Sequence, residues 1–185
     1  MKRIHWILIG IVGVLALWLW SGYNGLITGS ESVAASWAQV ETQYQRRVDL
    51  IPNLVSTVQG AASFEQETFM AITEARSRWQ TAPTRSDRIA AAGEVESALS
   101  RLLVAVENYP QLQATQAYRD LMTQLEGTEN RIAVARRDYN EEVRRYNLRV
   151  KRFPSNVLAG MFGFDAEAFF EAQQGSDVAP AVDFE

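Results

Sequence analysis

Apolar residues along this chain follow two patterns. From Ile4 to Trp20 they are continuous (IHWILIGIVGVLALWLW), and Tyr23 extends the run. That approaches the ~20 residues, at ~1.5 Å each, that a membrane-spanning helix needs. From Val33 onward apolar residues recur at alternating steps of three and four, the period of a helix with one buried face. The first series is Val33, Trp37, Val40, Tyr44, Arg47, Ile51, Leu54, Val58 and Ala61. A shorter one, Phe69, Ile72, Arg76 and Trp79, ends at TAPTRSD, where Pro83 and Ser86 predict a turn and an N-cap. The third, Ala92, Val95, Leu99, Leu102, Val106 and Tyr109, stops near Pro110, which disfavours helix for the residue before it. The fourth runs Tyr118, Leu121, Leu125, Glu129, Ile132, Arg136, Tyr139, Val143, Tyr146, Val150 and Phe153, to FPSN at Pro154. A helix from Ala114 to Phe153 would be about 60 Å long. The predicted fold is all-α: an N-terminal transmembrane helix followed by an antiparallel up-and-down four-helix bundle with long first and fourth helices. Pro52 predicts a kink near Asp49, because it lacks an N–H and crowds the carbonyl of Val48.

Linear organisation follows. Residues 1–3 are a short basic N-terminus, 4–24 an anchor, 25–30 a Gly/Ser linker, 31–153 the bundle, 154–171 a Phe-rich segment and 172–185 an acidic tail. Trp6, Trp18, Trp20 and Tyr23 lie towards the ends of the apolar run, where amphipathic rings favour the headgroup level. A cleaved signal peptide is disfavoured: the run is long for one, and the nearest small-x-small site, Ser32 to Ala34, is far downstream. Lys2 and Arg3 precede the run and the next base is Arg46, so the positive-inside rule predicts a cytoplasmic N-terminus. In a bacterium this makes a single-pass inner-membrane protein with a periplasmic bundle.

Composition removes most catalytic chemistry. The 185 residues include no cysteine, which excludes disulfides, thiolate nucleophiles and Cys-ligated metals. The single histidine, His5, sits in the apolar run, so the rest of the chain holds no Ser-His-Asp triad or His-based metal site. Carboxylates lie close together at Glu94 and Glu96, Glu126 and Glu129, and Glu141 and Glu142, but a di-iron bundle would also need a Glu-x-x-His on two helices. No catalytic residue, metal or cofactor is expected. With 18 Lys plus Arg against 22 Asp plus Glu, the net charge of −4 argues against a nucleic-acid partner. Bases outnumber acids between Gly127 and Arg152, and from Asp165 onward there are only acids.

The charged residues on the apolar seams carry the most information. Arg47, Arg76, Glu129 and Arg136 interrupt otherwise apolar series, and burying any one unpaired would cost several kcal/mol. With Asp49, Asn53, Glu74 and Asn140 within a turn of them, they form a candidate buried polar network. Such a network fixes register and helix pairing. As a ligand site, its Arg forks would suit a carboxylate or phosphate. VLAGMFGFDAEAFF gathers Phe162, Phe164, Phe169 and Phe170 into a candidate interaction segment that would dock on the bundle, enter the bilayer surface or form a protomer contact.

Taken together, these segments resemble the LemA family of bacterial single-pass membrane proteins. RRVDLIPNLVSTVQG (Arg46 to Gly60) is similar to its RR-x-DLIPNLV signature, and EAR (Glu74 to Arg76) to a second block. NYPQLQA (Asn108 to Ala114), ENRIAVARRDYN (Glu129 to Asn140), Tyr146-Asn147 and FPSNVLAGMFGF (Phe153 to Phe164) follow in order. Val48 and Ala61 depart from the family's usual aromatics. The resemblance implies an anchor followed by an antiparallel helical bundle, places Arg47, Asp49, Asn53, Arg76, Glu129, Arg136 and Asn140 inside family motifs, and assigns no enzyme activity.

The functional expectation is a non-enzymatic, membrane-anchored helical scaffold of the bacterial envelope, partnered by the lipid bilayer and by a second copy or another membrane protein. The alternative is a sensor or enzyme binding an anionic small ligand at the Arg/Glu cluster.

Overall fold

A computed structural model describes residues 2–59 and 66–170. Ala61 and the acidic tail lie outside the described residues. The regular elements are α1 (Lys2–Gln59), α2 (Gln66–Thr81), α3 (Arg85–Val106), α4 (Pro110–Gln113), α5 (Gln116–Lys151) and α6 (Ser155–Phe162), and there is no strand among the described residues. The chain is all-α, as its three-four periodicity predicts.

Local chemistry explains the helix ends. Thr84 caps α3: its hydroxyl accepts the Asp87 N–H at 3.1 Å and donates to the Asp87 carboxylate at 2.5 Å, a reciprocal cap. The cap thus falls two residues before the expected Ser86. Pro110 opens α4, where its missing N–H has no intrahelical partner to lose. Thr115 then accepts the N–H of Tyr118 at 3.3 Å, so the fourth long helix begins at Gln116, after the expected Ala114, and spans about 54 Å. Gly163, at φ 74°, closes α6, and the Phe164 N–H returns to the Ala159 carbonyl at 2.9 Å.

Helix α1 continues through Pro52 to Gln59, with the Pro52 ring on the exposed side and the Ser56 hydroxyl donating to its carbonyl at 2.9 Å. Residues 25–30, expected as a Gly/Ser linker, are helical too. Close packing marks two glycines in and just before this stretch. A Cβ on Gly22 would lie 2.4 Å from Leu158 Cδ1, and one on Gly29 would lie 3.1 Å from Tyr146 Cδ2. These glycines admit large neighbours to the helix surface, a use that composition alone does not separate from flexibility.

The chain divides into two compact units: residues up to Val40 with Ala135–Phe169, and Glu41–Val134 with the chain from Phe170. In the first, Leu26, Val33 and Val40 of α1, Tyr139, Val143 and Tyr146 of α5, and Leu158 and Ala159 of α6 are buried. The Trp37 and Tyr139 rings meet edge to face at 5.5 Å. In the second, Tyr44, Val48, Ile51, Leu54 and Val58 of α1 are buried, as are Ile72 and Trp79 of α2, Val95, Leu99 and Leu102 of α3, and Leu121, Leu125 and Ile132 of α5. From Ile4 to Trp20, by contrast, α1 is exposed along its whole length, and it is long and apolar enough to cross a membrane.

Candidate functional site

The densest polar constellation lies in the second unit. Its centre is Arg47 on α1, only 4% exposed. Arg47 Nη1 stands 4.0 Å from Glu96 Oε1 of α3, and Nη2 pairs with the Glu129 carboxylate of α5. One turn earlier on α1, the Tyr44 hydroxyl donates to the same Glu96 oxygen at 2.6 Å. The Tyr44 ring lies 6.3 Å from Trp79 and 6.1 Å from Phe170, nearly parallel to the latter at 5°. Above Trp79 sits the Arg88 guanidinium, 5.8 Å from the ring centroid, itself paired with Glu41. Charge balance follows from burial. A guanidinium in this position loses its water and takes two carboxylates in exchange; Glu96 is almost as buried, whereas the Glu129 side chain is 54% exposed and retains hydration. The arrangement ties α1, α3 and α5 at a fixed register.

The other predicted network members are placed differently. Asp49 is exposed and accepts from Gln45 Nε2 at 2.7 Å, and Asn53 is exposed. Glu74 is exposed and accepts from Arg78 at 2.6 Å; Arg78 also reaches Glu94 at 3.1 Å. The Glu74 hydrogen bond, then the charges of both carboxylates, hold the Arg78 guanidinium above its already high pKa. Arg76 is half-buried, and its Nε is buried with no hydrogen-bond partner among the described residues. Arg136 and Asn140 belong to the first unit, where both are half-buried. The Tyr44–Glu96 pair has no signal in the three-four count. Glu96 stands one residue after seam position Val95, although it is four after Ala92 and three before Leu99 and so shares their face. Likewise the α5 seam passes through Thr128, buried with its hydroxyl on the Leu125 carbonyl at 2.7 Å, and leaves Glu129 at its margin.

A second constellation, in the first unit, is neutral. The Asn147 side-chain amide donates to the Glu167 carbonyl and accepts the Glu167 N–H, both at 2.8 Å. The Tyr139 hydroxyl donates to the Ala168 carbonyl at 2.8 Å. Two side chains of α5 thereby hold the backbone at Glu167 and Ala168. Burial, then the Glu167 and Asp165 carboxylates, push the Tyr146 phenol above its ordinary range. This hold determines where the Phe-rich segment goes. Phe162 and Phe164 meet Tyr23 edge to face at 4.9 and 6.0 Å, and Phe169 remains largely exposed. Phe170 is buried against Tyr44 in the second unit.

One concave surface of the second unit is cationic. Arg46 and Leu50 of α1, with Thr123, Gln124, Thr128 and Arg131 of α5, line a depression of about 260 Å³ without a carboxylate on its walls. Among the described residues no set of three or more His, Cys, Asp or Glu side chains is placed to hold a metal.

An exposed apolar helix leading into an all-helical body with a paired ionic tie defines the class of protein, and sequence comparison specifies it. The LemA family profile matches residues 36–184, and the chain belongs to the LemA family. Magnetosome protein MamQ 2 of Paramagnetospirillum magneticum is 30% identical over 181 residues, covering 84% of this chain and 66% of the relative. Magnetosome protein MamQ of Magnetospirillum gryphiswaldense is 28% identical with the same coverage. Protein LemA of Metamycoplasma hominis is 22% identical over 152 residues, covering 82% of this chain and 69% of that protein. The chain thus spans 66% of the length of the MamQ relatives.

Proposed function

We infer that this protein is a non-enzymatic, membrane-anchored helical scaffold of the bacterial envelope that self-associates or binds another membrane protein. The observation that carries this reading is the start of α1. Every side chain from Ile4 to Trp20 is exposed, so a band of apolar surface far larger than a soluble protein leaves in water needs a lipid environment. Two further features support it. The most buried charged residue, Arg47, has the carboxylates of Glu96 and Glu129 beside its guanidinium. Relatives over most of the chain carry the name magnetosome protein. Lys2 and Arg3 before the apolar run orient the N-terminus to the cytoplasm.

The native chain lacks cysteine, so a single Glu107→Cys variant gives a clean test. In intact cells with a permeable outer membrane, a membrane-impermeant maleimide labels this residue if the body is periplasmic; labelling only after lysis reverses the orientation. Recovery in the soluble fraction after an alkaline wash overturns the anchor. Crosslinking in native membranes yields a defined oligomer or heteromer, and a clean monomer at native abundance overturns the scaffold reading.

A further inference from the structure

Helix α6 is held against α1 immediately beyond the apolar run. Leu158 occupies the space beside Gly22, where a Cβ would approach Leu158 Cδ1 to 2.4 Å. Leu26, Leu158 and Ala159 form a buried cluster, with Val150 and Phe164 packed on it. The Tyr23 ring meets Phe162 at 4.9 Å. Gly22 lies two residues after Trp20, about 3 Å along the helix axis. If a hydrocarbon core of about 30 Å takes up some 20 residues from Ile4, it ends near Tyr23, at the level of α6.

The inner face of α6, Leu158 and Ala159, is buried on α1; its outer face carries uncovered apolar side chains, with exposed Asn156 in the first turn. Val157 and Met161, four apart and therefore on one stripe, are 49% and 69% exposed. Phe162 is 51% exposed, and Phe153, just before the helix, 77%. This patch is continuous with exposed Trp20, Tyr23 and Ile27 of α1, the side chains that carry the apolar surface of the helix out of its lipid-facing stretch. Lys151 and Arg152 are exposed at the entrance to α6, where long stems lie along apolar surface and charges reach headgroup phosphates. Exposed Asp165 follows Gly163, beyond the end of the helix.

We propose that α6 and Phe153 form an interfacial foot: Phe153, Val157, Met161 and Phe162 insert into the headgroup–acyl boundary of the bilayer that α1 enters. This rests on reading α1 as the anchor. Continuity with the anchor surface selects lipid as the occupant, because any bilayer surrounding the preceding turns of α1 reaches this depth before any other partner does.

The test uses the full chain in phosphatidylcholine vesicles with single-cysteine variants carrying an environment-sensitive fluorophore, and lipid spin-labelled near the headgroup as quencher. Met161→Cys loses about half its fluorescence, as a group 5–10 Å into the boundary should. Leu15→Cys reports the anchor with acyl-chain-labelled lipid, and Glu107→Cys stays unquenched by either. Quenching at position 15 with none at 161 overturns the foot and leaves the anchor intact. Absence of quenching at both positions overturns the anchor reading and the foot with it. An unquenched position 161 that crosslinks to position 161 of a second copy assigns the face to self-association, which also overturns the proposal.

Discussion

The two units solve the same problem, joining α1 to α5 and one further segment, by different chemistry: one buries an ion pair, the other binds backbone. The second unit uses charge: Arg47 is held by Glu96 and Glu129, with Tyr44 bonded to the shared Glu96. The first unit uses close approach and hydrogen bonds to backbone: Gly22 and Gly29 admit Leu158 and Tyr146, Arg149 Nη1 donates to the Gly25 carbonyl at 2.8 Å, and Asn147 grips the backbone at Glu167. The difference lies in what failure costs. A lost neutral hydrogen bond leaves one amide to rehydrate, whereas a lost carboxylate leaves a cation in a dry layer. The ionic unit is therefore the more specific and the more brittle of the two.

The largest expected effect sharpens this contrast directly. Glu96→Ala leaves Arg47 facing Tyr44 with half its countercharge removed and destabilises the second unit by roughly 3–5 kcal/mol, measured by chemical denaturation of the detergent-solubilised chain. Arg47→Met with Glu96→Leu loses far less than the sum of the single changes; strict additivity in that double-mutant cycle would show that the pair is not coupled. In the first unit, Asn147→Ala removes two backbone hydrogen bonds and costs about 2–3 kcal/mol. Hydrogen exchange should localise that loss to residues 163–170 while α3 remains protected; uniform deprotection would erase the distinction between the units.

Smaller effects separate packing glycines from idle ones. Gly22→Ala pushes Leu158 out of its rotamer and costs about 1–2 kcal/mol. Gly25→Ala, with nothing within 4 Å of the new methyl group, gains up to about 1 kcal/mol of helix propensity. Melting temperatures of the two variants should move in opposite directions. The smallest effect is alkaline. The Tyr146 phenol has a folded pKa raised above its unfolded value of 10.0, so its contribution is intact below that pH and is lost as pH rises through the folded value. Ultraviolet titration should show Tyr118 and Tyr146 ionising late, and Tyr146→Phe should diminish that late step.

Much of the fold was legible because burial follows the three-four count closely: Val33, Val40, Tyr44, Ile51, Leu54 and Val58 are all buried, and so are Val95, Leu99 and Leu102. Arg47 was legible for the same reason, as a charge on a seam that otherwise admits none. Of its two partners, Glu129 was counted on the α5 seam, whereas Glu96 was not legible. Periodicity reports which face a residue occupies, not which residue stands opposite, and Glu96 sits one place off the counted series. Asn147 was hidden more completely: an amide that binds backbone leaves no pattern in either partner's side chains. The Gly/Ser stretch misled because glycine serves both as a flexible joint and as a space for a neighbour, and at Gly29 only the presence of Tyr146 decides between the two uses.

Helicity across residues 21–30 has one more consequence. Without a swivel between Trp20 and Leu26, each side chain of the apolar run has a fixed compass bearing relative to α6. Inserting one residue after Trp20 would turn the whole preceding stretch by about 100° about its axis, so whatever meets that stretch in the membrane plane would be addressed from a different side although no contacting residue had changed.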